Sequence, residues 1–334
     1  MTRFTTLANN ARHNLHLRLG LGLDVEYDRL PPSLIASFAN GDGHPMNYPA
    51  GRSAVISEFM VGAATSAGRF AAALKPNLAF AEGERYGQGE ATLRRALRRI
   101  RNAYNYTPVV VDGKRGDIGN SAKGYARRLF NPIWDSGGFN ADAVTISPYL
   151  GDEDAMDVFF DEKDRTSFVL CRTSNKGAAA IQDELMLLDD ELTDHMLTDG
   201  LMDLATPAVI GKSIAERSLV PQYLRMALLA RYRWNRHGNV GLVVGATAPE
   251  QLRNVCQVVK GTGIELLIPG SKTQGGKLEE VIPILQSKGC YDQATIFISR
   301  AALYPEEGKD DEHWVEAIEA RFRALHEEAR RIAA

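Results

Sequence analysis

The stretch VVVDGKRGDIGNSA, residues 109–122, joins a run of valines to a burst of opposite charge. Asp112, Lys114, Arg115 and Asp117 fall within six positions. β-Branched residues favour strands, and an unbroken apolar run suits a strand covered on both faces, as in a parallel sheet. Side chains alternate along a strand, so Asp112 and Lys114 share one face. Asp117 follows where the chain leaves the strand. A lysine between two carboxylates keeps its proton, because opposite charges favour the charged form. Such a group is a poor nucleophile and a poor base, but it suits proton donation to a developing carbanion, or stabilisation of one.

Seven similar runs flank this one: LGLGLDV (19–25), FAAALKPN (70–77), AVTISPY (143–149), SFVLCRTS (167–174), VGLVVGAT (240–247), ELLIPGS (265–271) and TIFISRA (295–301). Helical patterns lie between them. Leu93, Leu97, Ile100 and Tyr104 form one stripe, Leu252, Val255, Cys256 and Val259 another, and Trp314, Ile318, Phe322, Leu325 and Ile332 a third. Strands alternating with amphipathic helices predict an α/β fold, a (β/α)8 TIM barrel with helical insertions. The expectation is one barrel domain over residues 1–334, with insertions at about 26–69 and 175–239. Part of either insertion could close over the site.

Composition bounds the function. The chain has 334 residues, 44% apolar and 24% charged, with a formal net charge of -3. Nothing in that balance marks a nucleic-acid or membrane surface, so no nucleic-acid or membrane partner is expected. Cys171, Cys256 and Cys290 are odd in number and widely spaced, which predicts buried thiols rather than a metal motif or disulfide framework. The N-terminus lacks an apolar core of signal-peptide length, and the reading is cytoplasmic. GKS at 211–213 is not a P-loop, because Thr206 stands where the upstream glycine is required.

In such a barrel the active site lies at the C-terminal ends of the strands. Asp24, Lys75, Asp112, Lys114, Thr145, Thr173, Gly245, Gly270 and Arg300 all fall at or just past those ends. Lys75 brings a second positive charge beside Asp112. Glycines in PGSKTQGGK (269–277) leave backbone N–H groups open after the seventh strand, and Arg300 follows the eighth. That is the usual phosphate site of the fold. Gln274 offers an amide donor, and the arginine fork matches a phosphate.

These segments together resemble the orotidine 5'-monophosphate decarboxylase family, particularly its longer bacterial branch. The Asp-x-Lys-x-x-Asp signature stands as Asp112, Lys114 and Asp117, LKPNLAFAE supplies Lys75, and the first strand supplies Asp24. TISPYLGDEDA (145–155), CRTSNKGA (171–178), VVGATAPEQL (243–252), IPGSKTQGG (268–276) and ISRAALYP (298–305) are similar to family elements in the same order. The resemblance implies decarboxylation of orotidine 5'-monophosphate to uridine 5'-monophosphate in pyrimidine synthesis, with no cofactor and no metal. It implies a homodimer with shared sites, in which Asp117 reaches its partner's Lys114. Lys114 would be the proton donor to C6 and Asp112 would sit beside the substrate carboxylate. Asp24 and Lys75 would hold ribose hydroxyls. Ser174 and Asn175 would lie near the pyrimidine, and Gln274 and Arg300 would grip the phosphate. Ser121, Thr145, Pro148, Pro269 and Gly275 complete the substrate-binding set.

The chain departs from the family at Lys272, where a glycine is usual, at Ser121 in place of threonine, and at Val25 in place of proline. None of these removes a catalytic group. Two other readings compete: a metal-dependent sugar-phosphate decarboxylase or aldolase of the same superfamily, and a non-catalytic nucleotide-binding module. Sensitivity to a chelator separates the first. Turnover separates the second.

Overall fold

In the computed structural model, residues 1–15, 18–38, 49–83, 89–103, 106–133, 137–210, 213–270, 275–304 and 311–334 are described. Eight parallel strands form the central sheet: β1 (Leu19–Leu23), β2 (Leu74–Pro76), β3 (Val110–Arg115), β4 (Ala143–Ile146), β5 (Thr166–Arg172), β6 (Val240–Val244), β7 (Glu265–Ile268) and β8 (Ala294–Ile298). Their order is β2-β1-β8-β7-β6-β5-β4-β3. Bridges Leu74↔Val109 and Asn77↔Asp112 join the two ends and close the barrel. All eight expected strands are present. Tyr104, expected on a helical stripe, lies outside the described residues.

Parity along the strands explains both core and site. Inward positions of successive strands carry Ala73, Val110, Ala143, Phe168, Val243, Leu267 and Phe297, which form one buried cluster. β1 contributes glycine to this interior. A Cβ on Gly20 would lie 2.4 Å from Phe297, and one on Gly241 would lie 2.4 Å from Phe168. The two rings thus fill space that the glycines leave. Two residues beyond Ala73, Val110 and Ala143 on the same faces stand Lys75, Asp112 and Thr145, and Asp24 stands four beyond Gly20, so each of these strands runs from an apolar interior to a polar mouth.

The N-terminal helix, Arg3–Leu15, was not anticipated from the sequence. Its Phe4 and Ala8 are fully buried and join the interior cluster, with Phe4 edge-on to Phe168 at 5.3 Å. Thr2 meets Thr166 at 2.7 Å. Arg18 pairs with Glu265 at 2.7 Å, both buried. The helix therefore packs into the end of the barrel away from the site.

Of the expected insertions, the first carries helices Pro32–Ser37 and Pro49–Ser66. The second is more than helical. It adds a three-stranded antiparallel sheet made of Leu185–Leu187, Ser213–Pro221 and Thr206–Ile210. Its root is clamped to β5, where Arg172 binds Asp183 through a fork of 2.8 and 3.0 Å. The C-terminal helix, Trp314–Ala333, buries Ile318, Phe322 and Leu325, and the indole of Trp314 packs where Gly62 has no side chain. All three cysteines are buried and free. Among the described residues no helix is long and apolar enough to cross a membrane.

Candidate active site

A cavity of about 460 Å3 opens at the C-terminal ends of the strands. Leu170, Val243, Leu267 and Phe297 belong to its apolar part. Its polar lining includes Asp24, Lys75, Asp112, Lys114, Thr145, Ser174, Asn175 and Arg300, and Pro269 lines it too.

Asp112 is the hub. Its Oδ2 accepts from Lys75 Nζ at 2.9 Å, and its Oδ1 accepts from Lys114 Nζ at 2.7 Å. Thr145 Oγ1 also donates to Oδ1, at 2.8 Å. Burial alone would raise the pKa of this carboxyl. The two ammonium groups outweigh that cost and hold it well below the usual carboxylate range. Lys75 is the reciprocal case. Burial alone would strip its proton, but attraction to Asp112 and then Asp24, with the bond to Asp112, raises it above the usual lysine range. Asp24 lies 4.0 Å from Lys75 Nζ.

The backbone at Lys114 is bent to this end. Pairing between β3 and β4 shifts register between Val111 and Arg115. Lys114 takes φ of +45°, in the left-handed region. For a residue with a Cβ that conformation costs on the order of 1–3 kcal/mol, and such strain concentrates at functional positions. The Lys114 amide donates to Thr145 Oγ1 at 2.9 Å, so a side-chain hydroxyl takes the place of a ladder carbonyl. Lys75 is almost wholly buried, whereas the Lys114 side chain is 48% exposed. One ammonium is locked in the network and the other projects from it.

Asp117 does not flank Lys114 within the chain. Its Oδ1 accepts the amide of Ile118 at 2.8 Å, and among the described residues it makes no ion pair with Lys114. Two intervening residues and the turn at Gly116, which packs on Ser147, carry it away. Asp117, Ser121, Pro148 and Gly275 are not among the residues that line the cavity. Gln274 and Lys272 lie outside the described residues. The Gly276 amide donates to the Gly270 carbonyl at 3.2 Å.

Arg300 opens the short helix Arg300–Leu303 beyond β8 and lines the cavity. Among the described residues its guanidinium makes no ion pair. A cation lining the cavity together with Gly270 suits an anionic group.

Asn77, Gln182 and Ser299 line the cavity without having been singled out. Asn77 and Ser299 stand two residues beyond Lys75 and Phe297, so strand parity alone points to them. Gln182 comes from the second insertion. Its amide accepts from the Thr173 backbone at 2.8 Å and donates to the Thr173 hydroxyl at 3.0 Å. It thereby braces the turn that presents Ser174 and Asn175. No local pattern in the sequence marks that contact, which depends on how the insertion folds back.

A TIM barrel whose mouth holds a buried Lys–Asp–Lys network beside an anion-ready arginine defines a class of enzyme that handles charged, phosphorylated metabolites. Residues 22–304 match the orotidine 5'-phosphate decarboxylase / HUMPS family. An orotidine 5'-phosphate decarboxylase of Bordetella avium is 34% identical over 291 residues, covering 86% of this chain and 90% of that protein. One from a Roseiflexus species is 33% identical over 310 residues, covering 92% and 91%. The structure of Leishmania donovani OMP decarboxylase superposes with a TM-score of 0.67 at 28% identity, covering 100% of this chain and 99% of that one. The chain belongs to the orotidine 5'-phosphate decarboxylase family.

Proposed function

We propose that this chain decarboxylates orotidine 5'-monophosphate to uridine 5'-monophosphate without metal or organic cofactor. The observation that carries the reading is the Lys75–Asp112–Lys114 network, which holds one ammonium projecting into the cavity. Loss of CO2 from C6 leaves an electron pair in an sp2 orbital outside the ring π system. That pair has no easy delocalisation. The Lys114 ammonium stabilises it electrostatically and delivers a proton to C6. Asp112 lies beside the departing carboxylate in this reading. Preorganised cationic stabilisation carries more of the rate than repulsion between the two carboxylates.

The substrate runs along the cavity. Its phosphate meets Arg300, Gln274 and the backbone of the loop beyond β7. Its ribose meets Asp24 and Lys75, and its base meets Ser174 and Asn175. Thr145 fixes Asp112, while Ser121, Pro148, Pro269 and Gly275 shape the rim. Phosphate binding energy holds the loops closed over the reacting ring.

The site is completed by a second copy of the chain in this reading. Ile118, beside Asp117, is 58% exposed, and Tyr149 in the adjoining turn is 88% exposed. Exposed apolar groups next to an unused carboxylate suit a homodimer interface, across which Asp117 reaches the partner's Lys114.

The metal-dependent sugar-phosphate reading fits less well. Both oxygens of Asp112 are taken up by ammonium groups, so this carboxylate is not arranged as a metal ligand. The test is incubation of chelator-treated protein with orotidine 5'-monophosphate and identification of the product. Stoichiometric uridine 5'-monophosphate supports the reading. Inactivity until divalent metal and a sugar phosphate are supplied rejects it.

A further inference from the structure

The carboxylate of Asp24 is held asymmetrically. Ser299 Oγ donates to its Oδ2 at 2.6 Å. Its Oδ1 is buried, lies 4.0 Å from Lys75 Nζ, and has no hydrogen-bond partner among the described residues. Both residues line the cavity. A buried carboxylate oxygen without a donor is costly, because it has given up its water without gaining a partner. The backbone of Asp24 is fixed independently of the side chain. Tyr304 Oη donates to its carbonyl at 3.4 Å and accepts the Glu26 amide at 2.6 Å.

Room for Ser299 is built into β1. A Cβ on Gly22 would lie 2.7 Å from Ser299 Cβ and 2.9 Å from its Oγ. Gly22 and Asp24 share the inward face, so the missing side chain at one position lets Ser299 reach the other. Ser299 is also fixed from below, since its carbonyl accepts the amides of Ala302 at 2.8 Å and Leu303 at 3.1 Å. The hydroxyl thus comes from a rigid helix start rather than a free loop.

We propose that Ser299 is a positioning residue that fixes one oxygen of Asp24 so that the other accepts a ribose hydroxyl, making the site selective for nucleotides that carry that hydroxyl over those that lack it. The proposal rests on the nucleotide reading above. Ser299 does not touch the reacting atoms. It acts through Asp24, and it sets specificity because a hydroxyl-binding site deprived of its hydroxyl leaves a buried acceptor unpaired.

The test compares kcat/KM for orotidine 5'-monophosphate and its 2'-deoxy and 3'-deoxy counterparts. In the wild type, removing the bound hydroxyl lowers kcat/KM by at least ~100-fold. Ser299→Ala is expected to lose roughly 10-fold on the full substrate and to discriminate less than about 5-fold against the deoxy form. Placed on an Asp24→Asn background, Ser299→Ala adds less than about 2-fold, because both changes remove one arrangement. Gly22→Ala, which crowds Ser299 while leaving both polar side chains in place, also narrows the discrimination. Thermal melting and binding of uridine 5'-monophosphate confirm that each variant is folded. Full discrimination in a folded Ser299→Ala protein overturns the proposal, as does a wild type indifferent to the loss of both the 2'- and the 3'-hydroxyl. A wild type with no turnover of the full substrate instead rejects the function, and the proposal with it.

Discussion

Lys75 Nζ and Asp112 Oδ2 lie 2.9 Å apart at the end of two neighbouring strands, both almost wholly buried. Neither charge is affordable alone in that setting, since an unpaired buried ion costs several kcal/mol. Together they form a fixed platform, and Lys114 rests on the remaining oxygen of Asp112.

This arrangement predicts the pH profile. Asp112 is held well below the usual carboxylate range and Lys75 above the usual lysine range. Both therefore keep their charges across neutrality. The acid limb of kcat/KM should show no inflection from Asp112 near the ordinary carboxylate value of about 4. Asp112 also stabilises the fold in a definite direction. Its folded pKa is depressed, so its contribution is present above the unfolded value of about 3.9 and is lost as pH falls below that value and through the folded one. An Asp112→Asn variant should lose stability at neutral pH and lose less of what remains on acidification. Thermal melting against pH checks both.

Shared sites predict complementation. Lys114→Ala and Asp117→Ala proteins should each be inactive, because every site lacks one group. Mixing them and allowing subunits to exchange generates hybrid dimers in which one site has both groups intact and the other lacks both. With random exchange, about a quarter of wild-type activity should return, since half the dimers are hybrid and half of their sites are complete. Fluorescence energy transfer between labelled subunits verifies exchange. Exchange without recovery would place Asp117 outside its partner's site.

His326 predicts a second pH effect, far from the cavity. It is buried in the C-terminal helix, edge-on to Phe322 at 6.2 Å, with Nε2 lacking a partner among the described residues. Burial pushes its pKa down to about 4, Arg330 adds to the effect, and a hydrogen bond with the Phe70 backbone opposes it. The unfolded imidazole takes a proton near 6.5. Between these values the unfolded chain binds more protons, so this stability is fully present above 6.5 and is lost as pH falls towards 4. From pH 7 to pH 5 the loss is about 2 kcal/mol. Replacing the imidazole in His326→Leu should flatten that part of the wild-type stability curve, measured by denaturant unfolding.

The barrel was legible because all eight strands are short and apolar, and each ends in residues of a different kind. Gly20, Gly22 and Asp24 show the rule, with space for a neighbouring ring first and a charge at the mouth last. The Lys75–Asp112–Lys114 cluster followed from the same parity. Asn77 and Ser299 obeyed it too, but an amide and a hydroxyl draw less notice than a charge. The helix Arg3–Leu15 escaped because its inward residues, Phe4 and Ala8, are few and its packing partners are distant in sequence. Gln182 escaped for a related reason, since it reaches the cavity only after the insertion has folded back on Thr173. The sequence puts Asp117 just past the strand, as a second carboxylate flanking Lys114, but spacing alone does not give the direction in which the chain turns there. The left-handed turn at Lys114 and the register shift beside it separate the two.

The most direct test of the Lys114 role is single-turnover decarboxylation of orotidine 5'-monophosphate by wild type and by Lys114→Ala, with binding of uridine 5'-monophosphate measured on both. The account predicts that the variant still binds the product nucleotide and that its chemical step slows by at least ~1,000-fold, the combined scale of a lost proton donor and a lost electrostatic contact. A chemical step within about 10-fold of wild type, in a variant that binds the nucleotide, would contradict the assignment of Lys114 as the cation at C6.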